Sequence, residues 1–377
     1  MVQVREGKSR SLTEYGFVYT EVMRNDISPE QISLAAPLQA FSCTPEAFYQ
    51  QLPPLQLRIP FISAMMQAVF SPELAISLAR LGGIAASNAS QQIAEQAEKH
   101  RKIAAAGFPS IGGINTMDYR ERVPALVRAG ASMLWIDSSN GMTGYQQETA
   151  LWIKERYQIP IAGGCVHSRE GFRFLAEECK VDVVKVGIGG GSICITNEVK
   201  GTGRGLATAL IEVAAARDAH FRRTGTYIPL VVDGGLFYGK DIAMALALGG
   251  DAVMMGRYFA RFPESPTEPV LQGGKRKKPY WGEGSSRAQQ WREQRYQAKY
   301  EQGVEGFVEC ADSLENAVGQ TVAVIKDQMK ECAATTIQAF QEKAVVEEQS
   351  LATVMMGRPH GIELDGYYAT EWNIRKS

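Results

Sequence analysis

The central part of the chain alternates short apolar runs with longer amphipathic segments, beginning near residue 57. Segments such as PELAISLARL and YRERVPALVRAG have helical periodicity and lie between the runs. This alternation predicts parallel strands joined by right-handed crossovers, and about eight repeats in roughly 200 residues favour a closed (β/α)8 TIM barrel over an open doubly wound sheet. The eight apolar runs of strand length are 57–64, 82–87, 109–115, 132–137, 159–165, 183–188, 229–235 and 251–257.

The pattern changes at both ends of the barrel. Residues 1–55 are irregular and are predicted to cover one end of it. After the last strand the sequence is rich in Gly, Pro and Lys and then polar, which is typical of a mobile functional flap. We therefore expect one α/β domain spanning 1–377, with the barrel at about 57–262, the flap at about 263–305, a C-terminal helix at about 312–346 and an irregular tail at 350–377.

Composition and charge narrow the functional classes. A net charge of −1 gives no general surface for a polyanion, so no nucleic-acid partner is expected, and Lys275–Lys278 is interpreted as a solvated loop. No apolar run approaches the roughly 20 residues of a membrane span, and the N-terminus lacks a signal-peptide core. Six cysteines without a CxxC pair do not resemble a disulfide framework. A reducing, cytoplasmic setting is the expectation.

One stretch, Val183–Arg204, combines a β-branched run with a glycine cluster and a thiol. Glycines leave backbone N–H and C=O groups free to face a ligand, and here they occupy Gly187, Gly189, Gly190 and Gly191. Cys194 follows, with Ser192 and Thr196 on either side. A free cysteine is commonly just a small buried apolar residue. This position instead favours a reactive nucleophile.

Polar or glycine-rich positions recur where the predicted strands end. Chemistry in (β/α)8 barrels takes place at the C-terminal ends of the strands, so these side chains are expected to converge. They are Ser63, Asn88, Asn115, Asp137, Cys165, Cys194, Asp233 and Gly256-Arg257.

The cysteine loop resembles that of the IMP dehydrogenase / GMP reductase family, and further blocks match the family in order over about 55–345. SICITNEV followed by Gly203-Arg204 is more similar to the dehydrogenases. The CBS pair that most dehydrogenases insert after the second strand is missing, because His100 to Ser110 runs straight on, as in the reductases. The other matching blocks include FISAMMQAVFSPELAISLARLGGI, IPIAGGCVHSREGF, VVDGGLFYGKDIAMALALGGDAVMMG and YWGEGS.

The resemblance implies a covalent mechanism. Cys194 would attack C2 of the purine and form a thioimidate after hydride leaves. Arg295 and Tyr296 match an Arg-Tyr pair on the flap of the dehydrogenases, in which the arginine activates water. Without the resemblance, such a pair in a polar loop would not be assigned a function. Thr196 would assist in activating the water. Gln302 matches a polar residue at the end of the flap, near the purine.

The resemblance also assigns binding residues. Asp233 would accept both ribose hydroxyls of the nucleotide, although a strand-end carboxylate could simply cap the next helix. Arg257, where the family usually has serine or glycine, either reaches the phosphate or pairs with an acid. The other substrate-binding positions are Ser63, Met66, Ser192, Gly234, Gly235, Gly256, Tyr280, Gly282, Glu283, Gly284 and Gln302. Cofactor binding is implied for Asp137, on the nicotinamide ribose, with Ser138, Ser139, Asn140, Gly187 and Gly189.

Several positions depart from the family pattern. They leave open which purine base is bound and whether a monovalent cation is required. The departures are Gln67 for aspartate, Glu283 for methionine, Gly205-Leu206 for Pro-Gln, and Cys165 for a strand-end asparagine. Backbone carbonyls of Gly189, Gly191 and Cys194 are candidate potassium ligands, because hard cations prefer oxygen. A homotetramer is expected by resemblance.

Three functions follow from these observations. The first is an NAD-dependent IMP dehydrogenase that yields XMP. The second is a GMP or XMP reductase that uses NADPH and the same cysteine; the missing CBS pair favours it, whereas Arg295-Tyr296 and SICITNEV oppose it. The third is a catalytically degenerate barrel that binds purine nucleotides as a sensor, which the altered Gln67, Leu206 and Glu283 leave open.

Overall fold

A computed structural model describes residues 9–19, 26–40, 42, 55–288 and 300–357. Eight of its strands form one parallel sheet in the order β5-β4-β11-β10-β9-β8-β7-β6. These strands are β4 (Phe61–Ser63), β5 (Ile84–Ala85), β6 (Ile111–Ile114), β7 (Met133–Asp137), β8 (Ile161–Val166), β9 (Val183–Val186), β10 (Leu230–Asp233) and β11 (Ala252–Met255).

The two outer strands of this order close the sheet into a ring. Ala86, directly after β5, forms a parallel bridge with Ile111, and the Ser87 N–H donates to the Ile111 carbonyl at 2.9 Å. Each of the eight predicted apolar runs overlaps one of these strands, and only β8 extends past its run, by one residue at Val166. The predicted (β/α)8 barrel is therefore confirmed.

Helices follow the strands because the sequence supplies their boundaries. Ser71 accepts the Leu74 N–H at 2.9 Å and Pro72 occupies the first helical turn, so the first long helix begins there; it stops at Gly82, whose φ is 101°. The α-helices are Pro72–Leu81, Ile93–Ala105, Tyr119–Arg128, Gly144–Arg156, Arg169–Arg173, Thr196–Lys200, Leu206–Thr224, Gly239–Ala247, Arg257–Ala260, Leu314–Glu331, Ile337–Lys343 and Leu351–Met356. Most of these helices pack apolar residues on the barrel in one large core. Ile103 of Ile93–Ala105 belongs to a small second cluster, and Leu351–Met356 has no buried residue.

The junction between the second and third barrel strands is short. The helix Ile93–Ala105 ends six positions before β6 begins at Ile111. Described residues fill the whole connection, so no CBS pair is inserted at this point.

The region after the barrel contains a small antiparallel sheet that the sequence did not predict. Its strands are β12 (Val270–Gln272), β13 (Lys275–Trp281) and β14 (Glu305–Glu309). The interpretation of Lys275–Lys278 as a solvated loop is wrong. These residues belong to β13, and the buried Lys278 ammonium donates to the carbonyls of Phe262 and Ser265 at 2.5 and 3.0 Å.

The two ends of the described chain meet. Strand β1 (Tyr15–Val18) pairs antiparallel with β15 (Val345–Glu348), and β2 (Ala36–Pro37) pairs with β3 (Gln56–Leu57). The expected single C-terminal helix is two helices followed by β15, and the tail expected to be irregular starts with the helix Leu351–Met356. Within the described ranges, the helices are all too short or too polar to cross a membrane.

Candidate active site

A cavity of about 420 Å³ opens at the C-terminal ends of the barrel strands, which is within the usual size range of small-molecule sites. Loops after β4, β7, β9, β10 and β11 line it, and residues 280–284 and 302–303 cover one side. Predicted site residues on its wall are Met66, Asp137, Ser138, Ser139, Gly187, Gly189, Gly191, Ser192, Cys194, Thr196, Asp233, Gly234, Gly235, Gly256, Arg257, Tyr280, Gly282, Glu283, Gly284 and Gln302.

Some predicted residues lie elsewhere. Ser63 is fully buried in β4, where its hydroxyl accepts the Ala86 N–H at 3.3 Å, and it does not border the cavity. Asn140 also lies off the cavity wall; its side chain accepts the Met142 N–H at 3.0 Å within its own loop. Arg295 and Tyr296 lie outside the described residues.

Two of the strand-end residues serve local structure. Asn115 accepts the N–H groups of Met117 and Asp118 at 2.8 and 3.0 Å. Asn88 is buried and accepts from the Gln91 amide at 3.1 Å. Both therefore organise their loops.

Cys194 is partly exposed on the cavity wall, whereas Cys165, which also borders the cavity, and Cys179 are buried. Its thiol lies 3.2 Å from the Thr196 hydroxyl, which in turn lies 3.5 Å from the Gln302 side-chain oxygen. A thiol that is accessible from the cavity and adjacent to a hydroxyl is able to act as a nucleophile.

Glycines allow the loops after β9 and β10 to approach each other. Gly187 has a φ of 127°, and a Cβ there would lie 2.0 Å from the Asp233 carbonyl oxygen. Gly234 has a φ of 108° and packs on the backbone of Gly190. Larger residues would separate the cysteine loop from Asp233, so these positions fix the cavity floor.

Lys185 is a functional candidate that the sequence reading missed. It lies within β9 with its side chain 5 % exposed, and its ammonium is 3.2 Å from Asp137 Oδ1 and 3.1 Å from Asp233 Oδ2. The two carboxylates assigned to different riboses thus share one cation. A charged residue inside the β-branched run Val183–Val186 was the available signal.

The charges of this cluster depend on one another. Burial opposes the charge of Lys185, but Asp137, Cys165 and Asp233 outweigh burial and raise its pKa well above the ordinary value. Burial raises the pKa of Asp233, and Lys185 counteracts that effect. Burial also raises the pKa of the Cys165 thiol to about 12, so Cys165 is neutral and unsuited to nucleophilic attack.

Another part of the cavity wall carries hydrogen-bond donors suited to a phosphate. Burial raises the pKa of Tyr280 and Ser192 partly offsets the rise, so the phenol stays protonated; its hydroxyl donates to the Met66 sulfur at 3.6 Å. Arg257 stacks on the Phe237 ring at 4.2 Å and borders the cavity. An aromatic ring therefore positions this guanidinium at the cavity wall. Gly256 leaves room for the Tyr280 hydroxyl, which a Cβ would approach to 2.6 Å.

The departures from the family pattern have structural partners. Gln67 contacts Glu283, since its N–H donates to the Glu283 carboxylate at 2.7 Å. Gly205 admits the N-terminal segment, because a Cβ there would lie 2.2 Å from the Arg10 carbonyl, which accepts the N–H of Ala207. Leu206 is buried and does not border the cavity.

Comparison with known proteins identifies similar sequences. A family model described as IMP dehydrogenase / GMP reductase domain matches residues 26–360. An inosine-5'-monophosphate dehydrogenase of Tritrichomonas foetus is 47% identical over 258 residues, covering 66% of this chain and 51% of that protein. Proteins of the same name from Chlorobaculum tepidum and Bacillus subtilis are 36% and 33% identical, each over 66% of this chain and 51% of the relative. The chain thus spans about half the length of these curated relatives.

Proposed function

The chain belongs to the IMP dehydrogenase / GMP reductase family, and on that premise we propose that it oxidises IMP to XMP with NAD as the hydride acceptor. The observation that carries the proposal is the partly exposed Cys194 thiol in a strand-end cavity that also contains two lysine-bound carboxylates. The Cys194 sulfur can bond to the purine while Asp137 and Asp233 each bind one ribose.

The first half of the reaction is covalent. The Cys194 sulfur, as thiolate, bonds to C2 of the purine, and the hydrogen on C2 leaves with its electron pair to NAD, which becomes NADH. The product is a thioimidate between Cys194 and the nucleotide. Thr196, 3.2 Å from the sulfur, orients the thiol through its hydroxyl.

The second half is hydrolysis. Water adds to C2, the C2–S bond breaks, and the thiolate is released with XMP. Arg295 and Tyr296 are proposed to activate that water, with Thr196 assisting. A flap that excludes bulk solvent would favour the neutral form of an arginine, which is normally always charged.

Ribose recognition uses the carboxylates at the strand ends. Asp233 is proposed to accept the hydroxyls of the nucleotide ribose, and Asp137 those of the nicotinamide ribose. Lys185 holds both carboxylates in place, and their oxygens have further lone pairs for hydroxyl donors. Ser138 and Ser139 also border the cavity beside Asp137 and belong to the same subsite.

Phosphate binding is proposed for another part of the cavity wall. Ser192 and the protonated Tyr280 supply hydroxyl donors, and Gly235 and Gly256 expose backbone at the ends of β10 and β11. Arg257 adds a positive charge there. For Arg257 both expected roles, phosphate contact and pairing with an acid, stay open.

A potassium ion is proposed near the cysteine loop. The Gly191 carbonyl accepts the Cys194 N–H at 3.1 Å, and a carbonyl oxygen has a second lone pair for a cation. No group of three or more His, Cys, Asp or Glu side chains suited to a metal occurs among the described residues, so an ion here would rely on carbonyls. A homotetramer in the cytoplasm remains part of the proposal.

The alternative is a reductase that uses NADPH on GMP or XMP. The uninterrupted connection between Ile93–Ala105 and β6 is the observation that favours it. A reductase would use the same cysteine but would not need Arg295 for hydrolysis.

One assay separates the candidate functions. The purified protein is incubated with IMP and NAD, and separately with GMP or XMP and NADPH, while absorbance of the reduced cofactor is followed. We expect NADH to form in the first mixture. NADPH consumption in the second mixture alone would overturn the proposal, and nucleotide binding without turnover would indicate a degenerate sensor. Cys194→Ala should abolish turnover while leaving nucleotide binding mostly intact.

A further inference from the structure

The cavity is covered on one side by a roof, which we define as the turn 282–284 and the segment 302–304. The Ile195 N–H donates to the Gln302 carbonyl at 3.0 Å, next to Cys194. The Gln302 N–H donates to the Gly284 carbonyl at 3.0 Å. The cysteine loop and both parts of the roof are thus joined through main-chain hydrogen bonds.

Gln67, in the loop after β4, connects this roof to the barrel on the other side. Its backbone N–H donates to the Glu283 carboxylate at 2.7 Å, and its side-chain oxygen accepts the Trp281 indole N–H at 3.2 Å. Its amide NH2 donates to the Ser90 carbonyl at 2.7 Å. Gln67 therefore contacts Trp281 at the end of β13 and Glu283 in the turn that follows. It is also bonded to Ser90 in the loop after β5.

A neutral amide suits this position. Glu283 places its carboxylate against the Gln67 backbone, so an acidic side chain at residue 67 would add repulsion between like charges. A glutamine both accepts from Trp281 and donates to Ser90, which a carboxylate of similar length cannot do. Two departures from the family pattern, Gln67 and Glu283, are thus direct partners.

We propose that Gln67 is a positioning residue: it fixes the turn 282–284 on the cavity wall, so that a purine bound there presents C2 to Cys194. Gln67 does not itself border the cavity and acts through Trp281 and Glu283. The inference rests on the proposed function, because the turn is assigned to the nucleotide. Small misplacements of a reacting group are costly, so a distant link of this kind can control the rate.

The kinetic test uses Gln67→Leu, which removes the bonds to Trp281 and Ser90, with Gln158→Leu at an exposed position before β8 as the matched control. We expect kcat/KM for IMP to fall about tenfold in Gln67→Leu, while KM for NAD changes by less than about twofold. The control should keep wild-type constants. A change in KM for NAD as large as the fall in kcat/KM for IMP would overturn the proposal, and so would an unchanged kcat/KM for IMP.

A double-mutant cycle with Trp281→Phe tests the link itself. Trp281→Phe removes the indole donor, so it should reduce kcat/KM for IMP by less than Gln67→Leu. The double variant should be no worse than Gln67→Leu alone, because both changes break the same bond. Fully additive effects would contradict a role through Trp281.

A ligand-free measurement distinguishes failure of this inference from failure of the proposed function. The roof is bonded to the cysteine loop, so loosening it should raise the rate at which iodoacetamide alkylates Cys194 by about threefold or more, followed by mass spectrometry of the Cys194 peptide. An unchanged rate in Gln67→Leu overturns the inference even if the enzyme oxidises IMP. A raised rate in a protein that does not oxidise IMP supports the link and rejects only the proposed reaction.

Discussion

Lys185 is the positive charge that two carboxylates of the site share. Removing an ammonium from water costs several kcal/mol, and two carboxylates within 3.2 Å offset that cost. The arrangement fixes Asp137 and Asp233 beside each other although they belong to different strands. A ribose that binds to either one meets an oriented acceptor.

Replacing Lys185 by methionine should therefore destabilise the fold. Lys185→Met leaves two partly buried carboxylates without their cation, and we expect the free energy of unfolding in urea to fall by about 3 kcal/mol. Lys275→Met is the matched control, because Lys275 pairs with Glu309 on the surface; its cost should stay below about 1 kcal/mol. Lys185→Arg should recover most of the loss. Equal losses in the two methionine variants would refute the shared-cation interpretation.

At the same scale, sequence reasoning foresaw the nucleophile candidate and both carboxylates but missed Lys185. Cys194, Asp137 and Asp233 lie at or beyond strand ends, where a change from apolar to polar residues is visible. Lys185 lies within the apolar run, and a barrel strand is buried on both faces, so no alternation shows which face a residue takes. Ser63, at a strand end, was misleading because its side chain is buried within the sheet.

Among the elements, the seam between β5 and β6 is held mainly by side chains. His100 is fully buried and its two ring nitrogens lie 2.9 Å from the Ser87 hydroxyl and 2.7 Å from the Ser110 hydroxyl. Gln96 donates to the Gly113 carbonyl at 2.8 Å. The helix Ile93–Ala105 therefore ties the loop after β5 to the start and end of β6, where the backbone ladder is short.

This seam should make stability depend on pH. Burial lowers the pKa of His100 to about 4 from an ordinary 6.5. The folded protein thus keeps His100 neutral while the unfolded chain takes up a proton, so stability is full above about pH 6.5 and falls as the pH drops towards about 4. The loss should reach about 3 kcal/mol, and His100→Gln should remove it. Urea titrations of both proteins across this range measure the difference; identical pH profiles would reject the seam role.

The sequence predicted the strands that are runs of apolar residues in the core. It did not predict the strands that lack such runs. Each barrel strand coincides with an apolar run, because strands buried on both faces have no other composition available. In the sheet β12–β14 only Lys278, Tyr280 and Val308 are buried, and Lys275 and Arg276 are exposed, so its sequence resembles a polar loop. Antiparallel pairing across Gly273-Gly274 was the missed hairpin signal.

For the whole molecule, the pairing of β1 with β15 joins the two ends of the described chain. Phe17 stacks on Phe340 with ring centroids 5.6 Å apart, and the Gln349 N–H donates to the Glu14 carbonyl at 2.7 Å. Arg10 forms ion pairs with Glu14 and Glu348. Segments distant in sequence thus form a clasp whose residues do not border the cavity.

The clasp should contribute stability without affecting catalysis. Phe17→Ala removes half-buried aromatic packing, so we expect a loss of about 1 to 3 kcal/mol in unfolding free energy. Leu351→Ala, at a residue that is 76 % exposed, should cost less than about 0.5 kcal/mol. Kinetic constants for IMP and NAD should be unchanged in both variants. A changed KM in Phe17→Ala would show that the clasp communicates with the site.

The central claim is that the Cys194 sulfur bonds to the purine during turnover, and one measurement tests it directly. The protein is mixed with IMP and NAD, quenched with acid at successive times in the first turnover, digested and analysed by mass spectrometry. We expect the nucleotide on the Cys194 peptide only when both substrates are present, and for longer in Arg295→Ala, in which hydrolysis should be slow. Formation of NADH with no adduct on Cys194, or with the adduct on Cys165, would contradict the account.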